Sequence, residues 1–220
     1  MNIAVIPALN EATRIAAVVK AALPYVDRVI VVDDGSSDGT GERAKEAGAF
    51  VLRHPENCGA GAATMTGIEG ARRMGVKNLV TLDADEQHDP KDIPAMLAAL
   101  ATGADVVFAN RFGQSNNIPF IRRVFNGLGN LVTLVATGMW VPDSQCGYKA
   151  FGPKAVAEVD LRMNGFEFCT EIVRECVQRK WTYAQVPVKV IYSEYTLAKG
   201  QSFANGVKTA LKILLRSFLR

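Results

Sequence analysis

The sequence predicts an α/β fold: a Rossmann-like, mostly parallel sheet flanked by helices, in a single domain with an amphipathic helix at its C-terminal end. Short β-branched runs alternate with longer helical patterns, no internal repeat or linker interrupts them, and 220 residues with 49% hydrophobic content suffice for one such core. Strands are read at Ile3–Ile6, Arg28–Val32, Ala49–Leu52, Asn78–Leu82 and Asp105–Phe108, and helices at 11–22, 39–47, 60–74 and 91–101. Beyond residue 110 the alternation loosens. A Gly- and Asn-rich connection leads to a helical pattern at 119–137, a strand at Gln145–Phe151, a helix at 166–179 and a strand at 182–191. Residues 1–202 are expected to form the domain. In 203–220, Lys208, Lys212, Arg216 and Arg220 recur every four residues opposite Val207, Leu211, Leu214, Leu215 and Phe218, the pattern of a basic amphipathic helix. Such a helix either packs on the sheet or lies in a membrane interface.

The formal charge of +3 hides an asymmetry, because five cations and no acid fall in residues 195–220 and the body is net acidic. A basic tail on an acidic body suits an anionic surface and argues against nucleic acid as a partner. Cys58, Cys146, Cys169 and Cys176 include no Cys-x-x-Cys pair and are read as reduced, buried small hydrophobes; His54 and His88 offer little for a zinc site. The first apolar run is broken by Pro7 and Glu11, unlike a secretory signal. The most apolar stretch, 117–141, is interrupted by Arg122, Arg123, Asn126 and Asn130 and falls short of the ~20 residues needed to span a bilayer. A cytoplasmic protein is expected.

In a mostly parallel sheet, ligands bind beyond the carboxyl ends of the strands. The second strand ends in Val32-Asp-Asp-Gly-Ser-Ser-Asp-Gly-Thr40, two carboxylates followed by residues that also make an ordinary turn and helix cap. The fourth ends in Leu82-Asp-Ala-Asp-Glu-Gln-His88, where oxygen ligands at Asp83, Asp85 and Gln87 suit a hard cation such as Mg²⁺ or Mn²⁺. A calcium loop is excluded, since His88 and Pro94 stand where its Gly and bidentate Glu belong; a solvated acidic loop capping the next helix remains open. No Gly-x-Gly-x-x-Gly follows the first strand, and Walker and Gly-x-Ser-x-Gly patterns are absent, so a dinucleotide site and triad hydrolysis are not expected.

Taken in order, Ile6-Pro-Ala-Leu-Asn-Glu11, Val32-Asp-Asp-Gly-Ser36, Asn57-Cys-Gly-Ala-Gly-Ala62, Asp83-Ala-Asp85, Arg111 and Asp143-Ser-Gln-Cys-Gly-Tyr-Lys149 resemble the family 2 glycosyltransferases of GT-A fold. Within that family the chain is similar to the polyprenyl- or dolichyl-phosphate mannose and glucose synthases over residues 2–202. The resemblance implies that Pro7, Leu9, Glu11 and Asp34 line a nucleoside pocket, that Asp83 contacts the nucleotide, and that Asp83, Asp85 and Gln87 hold Mg²⁺ or Mn²⁺ against the diphosphate of a GDP- or UDP-hexose. It implies that Arg111 steadies a phosphate, that Arg122, Arg123, Lys199 and Ser202 receive the acceptor phosphate, and that Asp143, with Glu167 and Glu171 as weaker candidates, meets the acceptor or sugar.

Paired arginines and a Glu pair four apart also occur on plain solvated helix faces. Relatives often carry Arg-x-x-Gly-x-Ser-Lys where this chain has Leu197-Ala-Lys-Gly-Gln-Ser-Phe203, so the donor side is the stronger expectation. The implied reaction is a single inverting displacement by a polyprenyl phosphate at the cytoplasmic membrane face, with a membrane surface or membrane-embedded partner engaged through 203–220. The alternatives are a family 2 enzyme with a soluble glycan or small-molecule acceptor, and a non-catalytic nucleotide-sugar-binding subunit.

Overall fold

The computed structural model describes residues 1–191. The helix expected at 203–220, Lys199, Ser202 and the departures at Leu197 and Phe203 lie outside the described residues. A seven-stranded sheet forms the centre, built from β1 (Asn2–Ala8), β2 (Arg28–Asp33), β3 (Phe50–Arg53), β4 (Asn78–Thr81), β5 (Val106–Asn110), β6 (Lys149–Phe151) and β7 (Tyr183–Pro187) in the order β3-β2-β1-β4-β6-β5-β7. All neighbours are parallel except β6, which runs antiparallel to both β4 and β5. The mostly parallel α/β architecture is therefore the one the alternation of strands and helices predicts.

Strand periodicity divides the core between two faces. In β1, Ala4, Ile6 and Ala8 point to one side and Ile3 and Val5 to the other; in β2, Val29 and Val31 oppose Ile30 and Val32. Helices α1 (Ile15–Ala22), α2 (Thr40–Glu46) and α4 (Ile93–Ala101) cover the first face. Helices α3 (Ala60–Arg73), α6 (Pro153–Glu158) and α7 (Phe168–Gln178) cover the second. The remaining helix, α5 (Phe120–Thr137), packs against α7.

Several elements differ from expectation. The strand expected at 145–151 shrinks to three residues, because 143–148 form a loop across the sheet edge. The six-residue α6, with Pro153 in its first turn, is too short to leave a periodic signal. The strand expected at 182–191 ends at Pro187, leaving a lone bridge between His88 and Val190. Helix α1 starts at Ile15 rather than 11, since the amides of Asn10, Glu11 and Ala12 bond to side chains of another loop. The cysteines are all free, and Cys58 is half-buried rather than buried.

Close approach of α3 to the sheet depends on Gly67. A Cβ there would lie 2.2 Å from Val5 Cγ1 and 3.2 Å from Val32 Cγ2. Gly67→Ala is expected to destabilise the protein by about 1–3 kcal/mol through overpacking, despite better helix propensity, and the denaturant midpoint measures it.

Candidate active site

The carboxyl ends of β1, β2, β4 and β5 converge with the loop that enters β6. The first two ends are stitched together by the polar run after β2. Ser36 Oγ accepts from the Asn10 N–H at 2.9 Å, Thr40 Oγ1 from the Glu11 N–H at 2.8 Å and Asp38 Oδ2 from the Ala12 N–H at 3.0 Å. Asn10, at φ 53°, returns the tie by accepting from the Ser37 N–H at 3.0 Å. Ser36, Asp38 and Thr40 thus position the loop carrying Leu9 and Glu11, just past Pro7 in β1; Asp38, one residue before the Gly39 cap of α2, also accepts from the Thr40 N–H at 3.1 Å and so serves the start of that helix.

Asp34 is buried and serves a different loop. Its Oδ1 accepts from the Cys58 N–H at 2.9 Å and contacts His54 Nδ1 at 2.7 Å, and its Oδ2 accepts from the Gly59 N–H at 2.8 Å. His54 Nε2 meets Thr66 Oγ1 at 2.9 Å. Three of roughly four acceptor positions on the carboxylate are filled, and one is left for an incoming donor. Asp34, His54 and Cys58 also bring three ligand atoms within 4.8 Å of one another. With Asp34 clamping two backbone amides and His54 bonded at both ring nitrogens, this cluster reads as a loop clamp rather than a cation site.

After β4 the chain places Asp83 and Asp85 two residues apart at the carboxyl edge of the sheet. Burial, together with the negative charges of Asp83 and Glu11, raises the pKa of Asp85 against the opposing effects of His88 and the Gln87 N–H. Glu86 takes φ 62°, turning the chain so that the Gln87 N–H donates to Asp85 Oδ1 at 3.0 Å. Gln87 itself is buried. His88 lies beneath, 3.5 Å from Asp83 Oδ2 and from Cys146 Sγ, its ring 5.1 Å from that of Tyr148. Burial opposes its protonation, but the charges of Cys146, Asp83 and Asp85 outweigh that and push its pKa up to about 9. Gly147 leaves the space Asp83 occupies: a Cβ there would sit 2.4 Å from Asp83 Oδ1. Asp85 thus sits in the negative field of Asp83 and Glu11, oxygen groups of the kind a hard cation prefers.

Arg111 and Asp143 meet each other. The Arg111 Nε donates to Asp143 Oδ2 at 2.8 Å, its Nη2 to Oδ1 at 2.7 Å and its backbone N–H to Oδ2 at 2.9 Å, in a buried bidentate pair. Asp143 therefore orients Arg111. Arg122 is half-buried. Arg123 is exposed, and its guanidinium donates to the carbonyls of Ile118 and Asn116 at 3.2 and 3.4 Å. Glu171 accepts from the N–H groups of Arg162 and Met163, and the Asn164 carbonyl beside them receives the Gly61 N–H at the start of α3. Glu167 is buried against Gly165. His54 was missed by motif reading, its one sequence signal being proximity to the Gly-rich segment; Gly147 was read as part of the 143–149 run, without its part in making room for Asp83.

A family model described as glycosyl transferase family 2 matches residues 3–159. The chain is 32% identical over 235 residues to the UDP-N-acetylglucosamine–dolichyl-phosphate N-acetylglucosaminyltransferase of Methanococcus voltae, with 96% of this chain and 94% of that protein covered. It is 28% identical over 213 residues to the polyprenol monophosphomannose synthase of Mycolicibacterium smegmatis, covering 90% and 80%. Among solved structures, it matches the Mycobacterium tuberculosis glucosyl-3-phosphoglycerate synthase in complex with Mn²⁺, uridine diphosphate and glucosyl-3-phosphoglycerate. That match has a TM-score of 0.74 and 20% identity, covers 100% of this chain and 78% of that one, and shows the shared fold.

Removing one partner of the buried ion pair leaves the other uncompensated. Asp143→Ala is expected to destabilise the protein by about 3–5 kcal/mol in chemical denaturation. Full stability with lost turnover would instead place Asp143 against substrate.

Proposed function

We propose, from the premise that this chain belongs to glycosyltransferase family 2 and is a GT-A-fold glycosyltransferase, that it moves a hexose from UDP or GDP onto a polyprenyl phosphate with inversion. The donor half is supported by the Asp83-Ala-Asp-Glu-Gln87 run at the carboxyl end of β4, where Gly147 makes room for Asp83. The acceptor half is supported by the relatives in Methanococcus voltae and Mycolicibacterium smegmatis, whose names specify dolichyl phosphate and polyprenol phosphate.

In this reading Pro7, Leu9 and Glu11 line the nucleoside pocket, and the remaining acceptor position of Asp34 takes a base N–H. Asp83, Asp85 and Gln87 are the residues that would hold Mg²⁺ or Mn²⁺, and the bound ion would offset the charge of the departing diphosphate. Arg111, held by Asp143, presents a fixed guanidinium to a phosphate oxygen. A phosphate monoester has a second pKa of about 6, so its oxygen is already ionised at neutral pH and no strong general base is needed. That oxygen attacks the anomeric carbon, the bond to the diphosphate breaks, and the nucleoside diphosphate leaves with the electron pair. Arg122 and Arg123, with Lys199 and Ser202, are the proposed acceptor-phosphate ligands. The enzyme would act as a peripheral protein at the cytoplasmic membrane face, and residues 1–202 would contain its catalytic machinery.

The test supplies Mn²⁺ or Mg²⁺, polyprenyl phosphate and labelled UDP- and GDP-hexoses, and counts label in the organic phase. Metal-dependent transfer from one donor is expected, falling at least about 100-fold in Asp85→Asn with unfolding unchanged. Nucleoside diphosphate release without lipid label would move the acceptor to a soluble molecule; no release would overturn the reading. In Gly147→Ala the displaced Asp83 carboxylate should raise the metal concentration for half-maximal rate by about tenfold, read from a metal titration.

A further inference from the structure

The buried residues of α5 are the polar Asn130 and Thr133, while Leu128, Leu131 and Val135 on its other side are exposed. Together with Ser144 and Thr170, the two polar residues hold Gln145. Its Nε2 donates to Thr133 Oγ1 and Ser144 Oγ, both at 3.0 Å, and lies 3.3 Å from Thr170 Oγ1. Gly129 completes the seat, since a Cβ there would lie 2.8 Å from Gln145 Cγ. Three hydroxyls, from α5, α7 and the loop before β6, and one glycine therefore fix a single half-buried side chain. The network also sets which way round the amide sits. The Pro142 carbonyl can only accept, so Asn130 faces it with Nδ2 and turns Oδ1 to Ser144. That oxygen takes the Ser144 N–H at 3.0 Å and, having no proton of its own, the Ser144 hydroxyl proton at 2.9 Å. Ser144 Oγ then has only lone pairs to offer Gln145, and these require Nε2 on that side.

Gln145 Oε1 is the atom left over. Among the described residues it has no hydrogen-bond partner, and the buried side-chain polar atoms that lack one are Asp33 Oδ2 and Asn126 Nδ2, so Oε1 is open to solvent. Holding a long side chain in one rotamer costs entropy, and an oriented acceptor that the chain itself does not use is what a binding site presents. Chemistry selects the partner. Oε1 accepts and cannot donate, and the loop that carries it runs from Asp143, which holds Arg111, to Gly147, which abuts Asp83. In the transfer proposed above, the diphosphate and the lipid phosphate carry acceptor oxygens that a carbonyl oxygen repels, whereas the transferred sugar brings hydroxyl donors. We propose that Gln145 is a specificity-determining residue whose Oε1 accepts a hydrogen bond from a hydroxyl of the donor hexose. The assignment rests on the nucleotide-sugar reading of the site. Because the amide is neutral, it recognises the hydroxyl without adding negative charge beside Asp83 and Asp85.

The experiment is calorimetric titration of the full chain, in the presence of Mn²⁺, with UDP-glucose, UDP-N-acetylglucosamine and GDP-mannose, and with UDP and GDP alone. Gln145→Ala is expected to weaken binding of the nucleotide sugar that wild type takes by about tenfold, and to leave binding of its nucleoside diphosphate within about twofold. Among analogues of that donor each lacking one hydroxyl, one should bind wild type about tenfold worse than the parent does and bind the variant no worse, because two changes to one hydrogen bond do not add. Gly129→Ala pushes the side chain off its seat without removing a polar group; it should reproduce the same split between nucleotide sugar and nucleoside diphosphate, and it serves if Gln145→Ala unfolds. Equal losses for the two ligands, or no loss, would overturn the proposal and leave Gln145 as a brace between α5 and α7. A higher Mn²⁺ concentration for half-maximal binding in the variant would overturn it in favour of a metal ligand. Wild type that binds none of the three nucleotide sugars would overturn the donor reading itself, and this assignment with it.

Discussion

Because β6 runs against its neighbours, the chain must approach it from the carboxyl edge of the sheet, which lays residues 143–148 across the ends of β4 and β5. The cross-links on this side of the site follow from that approach. Asp143 reaches Arg111 after β5, Gly147 abuts Asp83 after β4, and the Gly147 carbonyl accepts from Thr81 Oγ1 at 2.8 Å. A parallel strand in the same place would deliver these residues to the opposite edge. The bidentate geometry of Arg111 and Asp143 supplies three hydrogen bonds to the carboxylate, and these offset the desolvation that burial of both charges costs.

The other half of the site is held by side chains that bond to backbone across loops. Ser36, Asp38 and Thr40 take the amides before α1, and Asp34 takes those before α3. Loops that would otherwise be mobile are tied to β2, so the positions of Glu11 and of the Gly-rich segment are set before any ligand arrives. Preorganisation of this kind lowers the ordering cost of binding. It also explains why one short run after β2 holds so many small polar residues: Ser36, Asp38 and Thr40 each satisfy a backbone donor in the loop between β1 and α1.

The alternating core strands were legible because β-branched runs of four to seven residues leave few other readings, and the polar residues after β2 and β4 stood out against them. The direction of β6 was not legible, since a three-residue strand carries no sign of its polarity. The partnership of Arg111 with Asp143 was hidden for the same reason: residues 32 positions apart are joined by that topology alone. The spacing of Asp83 and Asp85 is visible in the sequence, but the effect of the Glu11 charge on Asp85 depends on β1 and β4 being adjacent in the sheet. Gly147 was seen as part of a motif; its function as the space for Asp83 exists only in three dimensions.

Helix α5 shows a further limit of periodicity. A 3.6-residue pattern locates an apolar face without saying whether that face turns inward. Here the inward side is chosen by hydrogen bonding. Asn130 and Thr133 find partners in Ser144, Gln145 and Thr170, and burying them unpaired elsewhere would cost more than exposing leucines and valines. The polar contacts therefore dictate the apolar exposure. They fall on Ser144 and Gln145, between Asp143 and Gly147, so the outer face of α5 and the metal-ligand candidates are joined through a single loop. Ser144 and Gln145 thus tie α5 to the stretch that carries Asp143 and Gly147, so the packing of this helix and the placement of Arg111 and Asp83 share one segment of chain.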